Sequence, residues 1–181
     1  PENEPSFLYT SSMHGNELTG YVLMLRLIDE ILNGYSNGDY QNIVNEIDLW
    51  INPLANPDGA YAGGDHTVNG ATRNNANWVD LNRNYPDPQD GQHPDGNPWQ
   101  EETIIFMNLA DSIIFNMSCN LHTGAEVFNY PWDTWSNLTA DDSWWQNLAS
   151  MYADTVHNYS GVGYFDYLNN GITNGWDWYE V

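Results

Sequence analysis

Phe7-Leu8-Tyr9-Thr10-Ser11-Ser12-Met13-His14-Gly15-Asn16-Glu17-Leu18 reads as a strand, a turn and the opening of a helix. The apolar run Phe7-Leu8-Tyr9 enters a buried sheet, and the run from Leu18 to Leu32 has helical spacing. His14 and Glu17 therefore occupy a strand-to-helix turn, which is where open α/β sheets place their chemistry. An imidazole and a carboxylate three positions apart, with Gly15 letting the backbone bend between them, can converge on one zinc ion. An isolated His-x-x-Glu arises by chance, and a catalytic zinc needs a third protein ligand and an open fourth position. His122, in Asn120-Leu121-His122-Thr123-Gly124, stands at the end of another apolar run and is the candidate for that third ligand.

Outward from this stretch, elements alternate. A strand is expected over Ser6–Ser11, then a helix over Glu17–Leu32 with Leu18, Val22, Leu25, Ile28 and Leu32 as its stripe and Asn33-Gly34 as its end. One helical turn is expected around Tyr40–Val44, and a strand over Glu46–Pro53, where Ile47, Leu49 and Ile51 alternate with polar neighbours. Asn56-Pro57-Asp58-Gly59 is a turn by composition. The stretch from Ala60 to Trp78 is a long polar loop, of the kind that carries function. A helix over Gln100–Ser112, strands over Ile113–Leu121 and Glu126–Tyr130, and a helix over Ser143–Tyr159 follow, with Ser160–Val181 read as loop. Strands alternating with helices predict an α/β fold with a mixed, largely parallel sheet covered by helices.

The 181 residues suit a single domain spanning 1–181. No apolar run is long enough to span a bilayer, and no signal-peptide pattern opens the chain. Its start on Pro1 rather than Met is that of a processed product or a fragment. The single cysteine, Cys119, excludes an internal disulfide and reads as a small buried hydrophobe. Only 3 basic residues face 25 acidic ones, a net charge of -22. That balance excludes nucleic acid as a partner, since nothing is present to neutralise phosphates, and favours cations and cationic ligands.

The basic residues are Arg26, Arg73 and Arg83, with no lysine. Arg73 and Arg83 sit in polar loop sequence, where an arginine serves to pair with a carboxylate or an oxyanion. Arg73 would stabilise the oxygen that becomes negative in a tetrahedral intermediate. Asn82 and Arg83 would bind a substrate carboxylate, and Asp80 could orient a metal-bound imidazole. A zinc centre beside a fixed carboxylate-binding arginine describes a hydrolase that cuts the bond next to a free carboxylate. His66 and His93 lie in Gly/Asp loops and read as solvated, and His157 lies on a helix with no partner motif. Trp132 and Trp135 follow the metal strand, where packing and a place in the cleft are both open readings.

His14-Gly15-Asn16-Glu17, Asn56-Pro57-Asp58-Gly59, Arg73-Asn74-Asn75, Asp80-Leu81-Asn82-Arg83-Asn84-Tyr85-Pro86, Asn120-Leu121-His122-Thr123-Gly124 and Gly171-Ile172-Thr173-Asn174-Gly175 through Trp178-Tyr179 occur in that order. Together they resemble the zinc metallocarboxypeptidases of the carboxypeptidase A/B type, and most nearly the regulatory subgroup of carboxypeptidases N, E, M and D. The resemblance implies one zinc ion held by His14, Glu17 and His122, with Arg73 polarising the scissile carbonyl. It implies Asn82 and Arg83 on the C-terminal carboxylate, Asp80 behind a zinc histidine, and Tyr179 closing over the substrate. The family's general base is a glutamate downstream of the position matched by Tyr179. Neither Glu126 nor Glu180 matches it, so the chain is expected to be a catalytic domain incomplete at both ends and inactive by itself.

Expected partners are peptides with a free C-terminal carboxylate, the acidic charge favouring basic ones, and a secreted or cell-surface monomer is expected. Two other readings use the same residues: an amidohydrolase acting on N-acyl amino acids, as in aspartoacylase-like relatives, and a non-catalytic peptide-binding module.

Overall fold

In the computed structural model, residues 4–160 and 171–179 are described, without the side chain of Tyr179. They fall into two compact units, Pro1–Thr123 and Gly124–Val181.

The first unit is built on a parallel sheet of order β2-β1-β3, from β1 (Ser6–Ser11), β2 (Asp48–Asn52) and β3 (Met117–Leu121). Two helices, α1 (Leu18–Asn37) and α2 (Gln41–Glu46), connect β1 to β2. After β2 come a single helical turn, α3 (Pro57–Ala60), the long loop, and α4 (Glu101–Ser112), which leads into β3. In register, Ser11 of β1 lies beside Leu121 of β3, and Thr10 lies beside Asn52 of β2. The three strands therefore end together, and the segments that leave them, starting at Ser12, Pro53 and His122, emerge along one edge. Because all pairings are parallel, this is the carboxyl edge, where side chains from different loops can meet.

Close packing at this edge depends on small residues. A Cβ on Gly20, in the first turns of α1, would lie 2.9 Å from Ser11 Cβ and 3.3 Å from Leu121 Cβ. The helix therefore rests directly on the ends of β1 and β3. Gly20 and Met24 are its buried residues over the sheet, while Val22, Leu25 and Leu32 of the expected stripe point outward, the last 65% exposed. The helix also runs past Asn33-Gly34. Gly34 is buried inside it because the Tyr40 ring packs where its side chain would be, 2.3 Å from an added Cβ. The left-handed cap falls on Gly38 instead, at φ 94°.

The second unit holds a parallel pair, β4 (Phe128–Tyr130) and β5 (Ile172–Asn174), with α5 (Asp142–Ser160) and the short α6 (Gly175–Tyr179). Tyr152 of α5 packs its ring on Phe128, centroids 5.3 Å apart. Sequence analysis read this last stretch as loop, but β5 and α6 stand in its described part. The side chain of Asn174 explains the turn into α6: it accepts from the Asp177 amide at 3.0 Å and donates to the Asp177 carboxylate at 2.9 Å. Among the described residues, β1 pairs in parallel with β2 and β3, and β4 with β5, in keeping with the expected α/β class. Among the described residues, no helix is long and apolar enough to cross a membrane.

Candidate metal centre

Beyond β1 the chain turns at Ser12, a buried non-glycine residue at φ 54°. Its hydroxyl donates to the Glu17 carbonyl at 2.8 Å, closing the turn that carries Met13, His14, Gly15 and Asn16. Gly15 is not bent into the left-handed region; it provides room. A Cβ there would lie 2.3 Å from the carbonyl carbon of Gly59, so the His14 turn sits directly against the Asn56–Gly59 turn.

Asn56, fully buried, binds these turns together. Its amide nitrogen donates to the carbonyls of Met13 at 3.1 Å and Arg73 at 3.4 Å, and its oxygen accepts from the Gly59 amide at 2.8 Å. The backbone adds Gly15 N–H to Arg73 O at 3.2 Å and Thr72 N–H to Gly59 O at 2.8 Å. Three loops far apart in sequence thus have fixed relative positions, and the polar groups buried among them are paired, as burial requires.

On this frame His14, Glu17 and His122 converge, each offering a ligand atom within 4.8 Å of the others. Glu17 spans the two imidazoles: Oε1 lies 2.8 Å from His14 Nδ1, and Oε2 lies 2.9 Å from His122 Nδ1. The two Nδ1 atoms are 3.2 Å apart. Zn–N bonds of about 2.0–2.1 Å at a tetrahedral angle would put two ligand nitrogens roughly 3.3–3.4 Å apart. The donor set therefore fits a single divalent ion in both chemistry and spacing. No other group of three such side chains could hold one among the described residues. His14 is buried, with 3% of its side chain exposed, whereas His122 shows 35% to solvent, so the centre is open on one side.

The surroundings are arranged around these ligands. Asp80 places Oδ1 3.2 Å from His14 Nε2 and Oδ2 2.9 Å from Arg73 Nε. Arg73 Nη1 stands 3.9 Å from Glu17 Oε1. Burial pushes the Glu17 carboxyl up, but the hydrogen bonds and charges of His122 and His14 outweigh it and hold the pKa at about 2. Asp80 is likewise pushed up by burial and brought below the usual range by the Arg73 guanidinium, the Asn82 amide and His14.

Asp80 also accepts from the Asn82 amide at 2.9 Å, capping the 3-10 turn Leu81–Arg83. Leu81 is buried, and so is Asn84, whose oxygen takes hydrogen bonds from Gln100 N–H at 2.8 Å and Thr103 Oγ1 at 2.9 Å. Between these two anchors Arg83 faces solvent, with Nη1 donating to the Asn82 carbonyl at 2.9 Å. The structure thus brings together His14, Glu17, His122, Arg73 and Asp80, with Asn82 tied to Asp80. Tyr179 lies in the other unit, in α6, and its side chain is outside the described residues, as is Glu180.

His66 and His93 are exposed, the latter 5.0 Å from the Trp99 ring. Trp132 and Trp135 pack edge to face at 5.2 Å. Cys119 is half-buried, its thiol pushed up by burial. Sequence reasoning missed Asn56 and Asn84 as buried clamps, because in a chain rich in Asn and Gly each reads as loop composition.

The profile of a family described as zinc carboxypeptidase matches residues 1–181. Carboxypeptidase SOL1 of Arabidopsis thaliana is 37% identical over 187 residues, covering 99% of this chain and 36% of that protein. The carboxypeptidase N catalytic chain of Homo sapiens is 34% identical over 214 residues, with 98% of this chain and 46% of that one covered. Among solved structures, thrombin activatable fibrinolysis inhibitor superposes with a TM-score of 0.77 at 15% identity, over 97% of this chain and 48% of the other. The chain spans less than half the length of each of these proteins.

Proposed function

This chain belongs to the zinc carboxypeptidase family, and from that premise we propose that the protein is a zinc-dependent metallocarboxypeptidase releasing the C-terminal residue of peptides. The observation that carries the proposal is the convergence of the His14, Glu17 and His122 ligand atoms beside an arginine fixed by Asp80. In this reading the three residues hold one zinc ion. When bound, that ion lowers the pKa of water and polarises a carbonyl.

The chain's own residues do the rest. Asp80 holds His14 through Nε2, so the ring keeps Nδ1 directed toward the ion. Arg73 keeps Nε on Asp80 and has its terminal nitrogens for the scissile carbonyl oxygen, donating to it as negative charge accumulates there. Asn82 and Arg83 receive the substrate's terminal carboxylate, and a guanidinium can bind it through two parallel hydrogen bonds. A terminal carboxylate held at Asn82 and Arg83 would select the last peptide bond over internal ones. Glu17, with both oxygens engaged and a pKa of about 2, is a poor base near neutrality. Proton abstraction falls to another residue. Tyr179 remains assigned to substrate closure by resemblance.

The net charge of -22 supports basic C-terminal residues as the preferred substrates, and the reading extends to a monomer that is secreted or held at the cell surface. The test compares one peptide with a free and an amidated C-terminus, using the full-length protein and Arg83→Ala. The free peptide should lose its last residue and the amidated one should not, and Arg83→Ala should lower kcat/KM by about 100-fold. Equal cleavage of both peptides, or an unchanged rate in Arg83→Ala, overturns the proposal. Faster hydrolysis of an N-acyl amino acid than of any peptide would replace it with the amidohydrolase reading.

A further inference from the structure

The Arg73 side chain is 45% exposed, and the bond from its Nε to Asp80 Oδ2, at 2.9 Å, is what gives the guanidinium a direction. That direction depends on where Asp80 is held. Asp80 follows a loop, residues 74–79, that one buried side chain closes. Asn75 is 4% exposed and uses each of its polar atoms to do so. Its backbone N–H donates to the Val79 carbonyl at 3.1 Å, and its carbonyl accepts from Trp78 N–H at 3.0 Å. Its side-chain oxygen accepts from the Asn77 and Val79 amides, both at 3.1 Å. Its side-chain nitrogen donates to Gln100 Oε1 at 3.0 Å and to the Glu102 carboxylate at 3.2 Å. Backbone N–H groups only donate and an ionised carboxylate only accepts, so these partners fix which way the amide points.

Buried Val79 has both its N–H and its carbonyl bound to Asn75, and Asp80 starts from it. Asn74 Nδ2 donates to the Trp78 carbonyl at 2.9 Å, and the loop holds Trp78 at φ 61°, a conformation that bulky side chains rarely adopt. The loop is anchored in turn at the start of α4. Gln100 Oε1 also accepts from Asn77 Nδ2 at 2.8 Å, while Gln100 N–H donates to Asn84 Oδ1 at 2.8 Å. The Arg73–Asp80 pair and the turn that carries Arg83 therefore share one anchor.

We infer that Asn75 is a positioning residue for the reaction: by fixing Val79 and Asp80 it holds the Arg73 guanidinium where the scissile carbonyl oxygen becomes negative. This rests on the carboxypeptidase reading above. Because Asn75 acts through Asp80 on a group that serves the transition state, its loss should lower kcat and leave KM.

The test is a double-mutant cycle on the full-length protein. It measures kcat and KM on a peptide with a free C-terminus, at saturating Zn2+ and at a temperature where circular dichroism shows each variant folded. Arg73→Ala should lower kcat about 100-fold. Asn75→Ala should lower it about tenfold, with KM within about twofold of wild type. The double variant should fall no further than Arg73→Ala alone. Should Asn75→Ala fail to fold, a second pair decides. Asn75→Asp keeps the acceptor for the two backbone amides but sets a carboxylate against Glu102, and should lower kcat about tenfold. Adding Glu102→Gln supplies a donor and should bring kcat back to within about threefold of wild type.

Losses that multiply in the Arg73 and Asn75 double variant, an Asn75→Ala kcat within about twofold of wild type, or no recovery of Asn75→Asp by Glu102→Gln overturns the inference and leaves the carboxypeptidase reading standing. An Arg73→Ala variant as fast as wild type, or a wild type indifferent to amidation of the C-terminus, overturns that reading and this inference with it.

Discussion

Glu17 carries two opposed demands: it must be ionised to bridge two imidazoles, and it must be partly buried to do so. Burial alone would raise its pKa, yet the imidazoles and the Thr123 amide, at 3.1 Å from Oε2, favour the anion. The folded pKa of about 2 lies below the ordinary 4.5. The carboxylate therefore contributes stability that is complete above about pH 4.5 and is lost as pH falls toward about 2. The measurement is a set of urea denaturation curves on metal-stripped wild type and Glu17→Gln across that window. The stability difference between them should close as the pH falls, and a difference independent of pH would refute the account. The Glu17 spacing was legible in the sequence because a ligand pair three residues apart is a local pattern. The clamp made by Asn84 was not, since its partners Gln100 and Thr103 lie 16 and 19 residues away.

At the level of elements, the strands and helices that carry the site were legible from periodicity, and their ends were not. β1 matches its expected bounds, while α1 runs on to Asn37 because tertiary packing of Tyr40 uses Gly34 within the helix. β5 and α6 were missed because three-residue strands and single helical turns leave no periodicity to read. Asn56-Pro57-Asp58-Gly59 was read as a turn, and it forms one, with Pro57 opening α3 and Asn56 capping it. Composition did not reveal that this turn is the piece against which the His14 and Arg73 loops are placed. Asn56→Ala should leave the Met13 and Arg73 carbonyls and the Gly59 amide without their side-chain partner. A loss of about 2–3 kcal/mol of folding stability is expected, accompanied by weaker Zn2+ binding as the His14 turn loosens. Asn45→Ala, at an exposed position, should change stability by no more than about 0.5 kcal/mol. Equal effects of the two variants in chemical denaturation would show that the turn does not fix the loops.

Across the whole molecule the most unusual property is one of sign: 25 acidic residues, 3 arginines and no lysine. Two of those arginines lie in the segment from Arg73 to Arg83, whose Arg73 and Asp80 border the candidate metal centre, so on the proposed function positive charge is retained mainly where an anionic group of a substrate would be received. The negative field should repel free carboxylates at long range and attract cationic side chains, and the local arginines must reverse that preference at contact distance. These effects separate by range. Over lengths beyond about 10 Å at about 0.1 M salt, field-driven attraction is screened, whereas a guanidinium–carboxylate pair in contact is much less affected. For peptides that differ only in a C-terminal arginine or leucine, raising salt from about 10 mM to about 500 mM should lower kcat/KM for the arginine peptide by about tenfold and leave its kcat unchanged. The leucine peptide, with no added positive charge to steer, should keep its kcat/KM or gain slightly as repulsion of its carboxylate is screened. Parallel salt dependence for the two peptides would mean that the acidic surface does not select substrates, and that any preference for basic residues would have to come from contacts in the pocket.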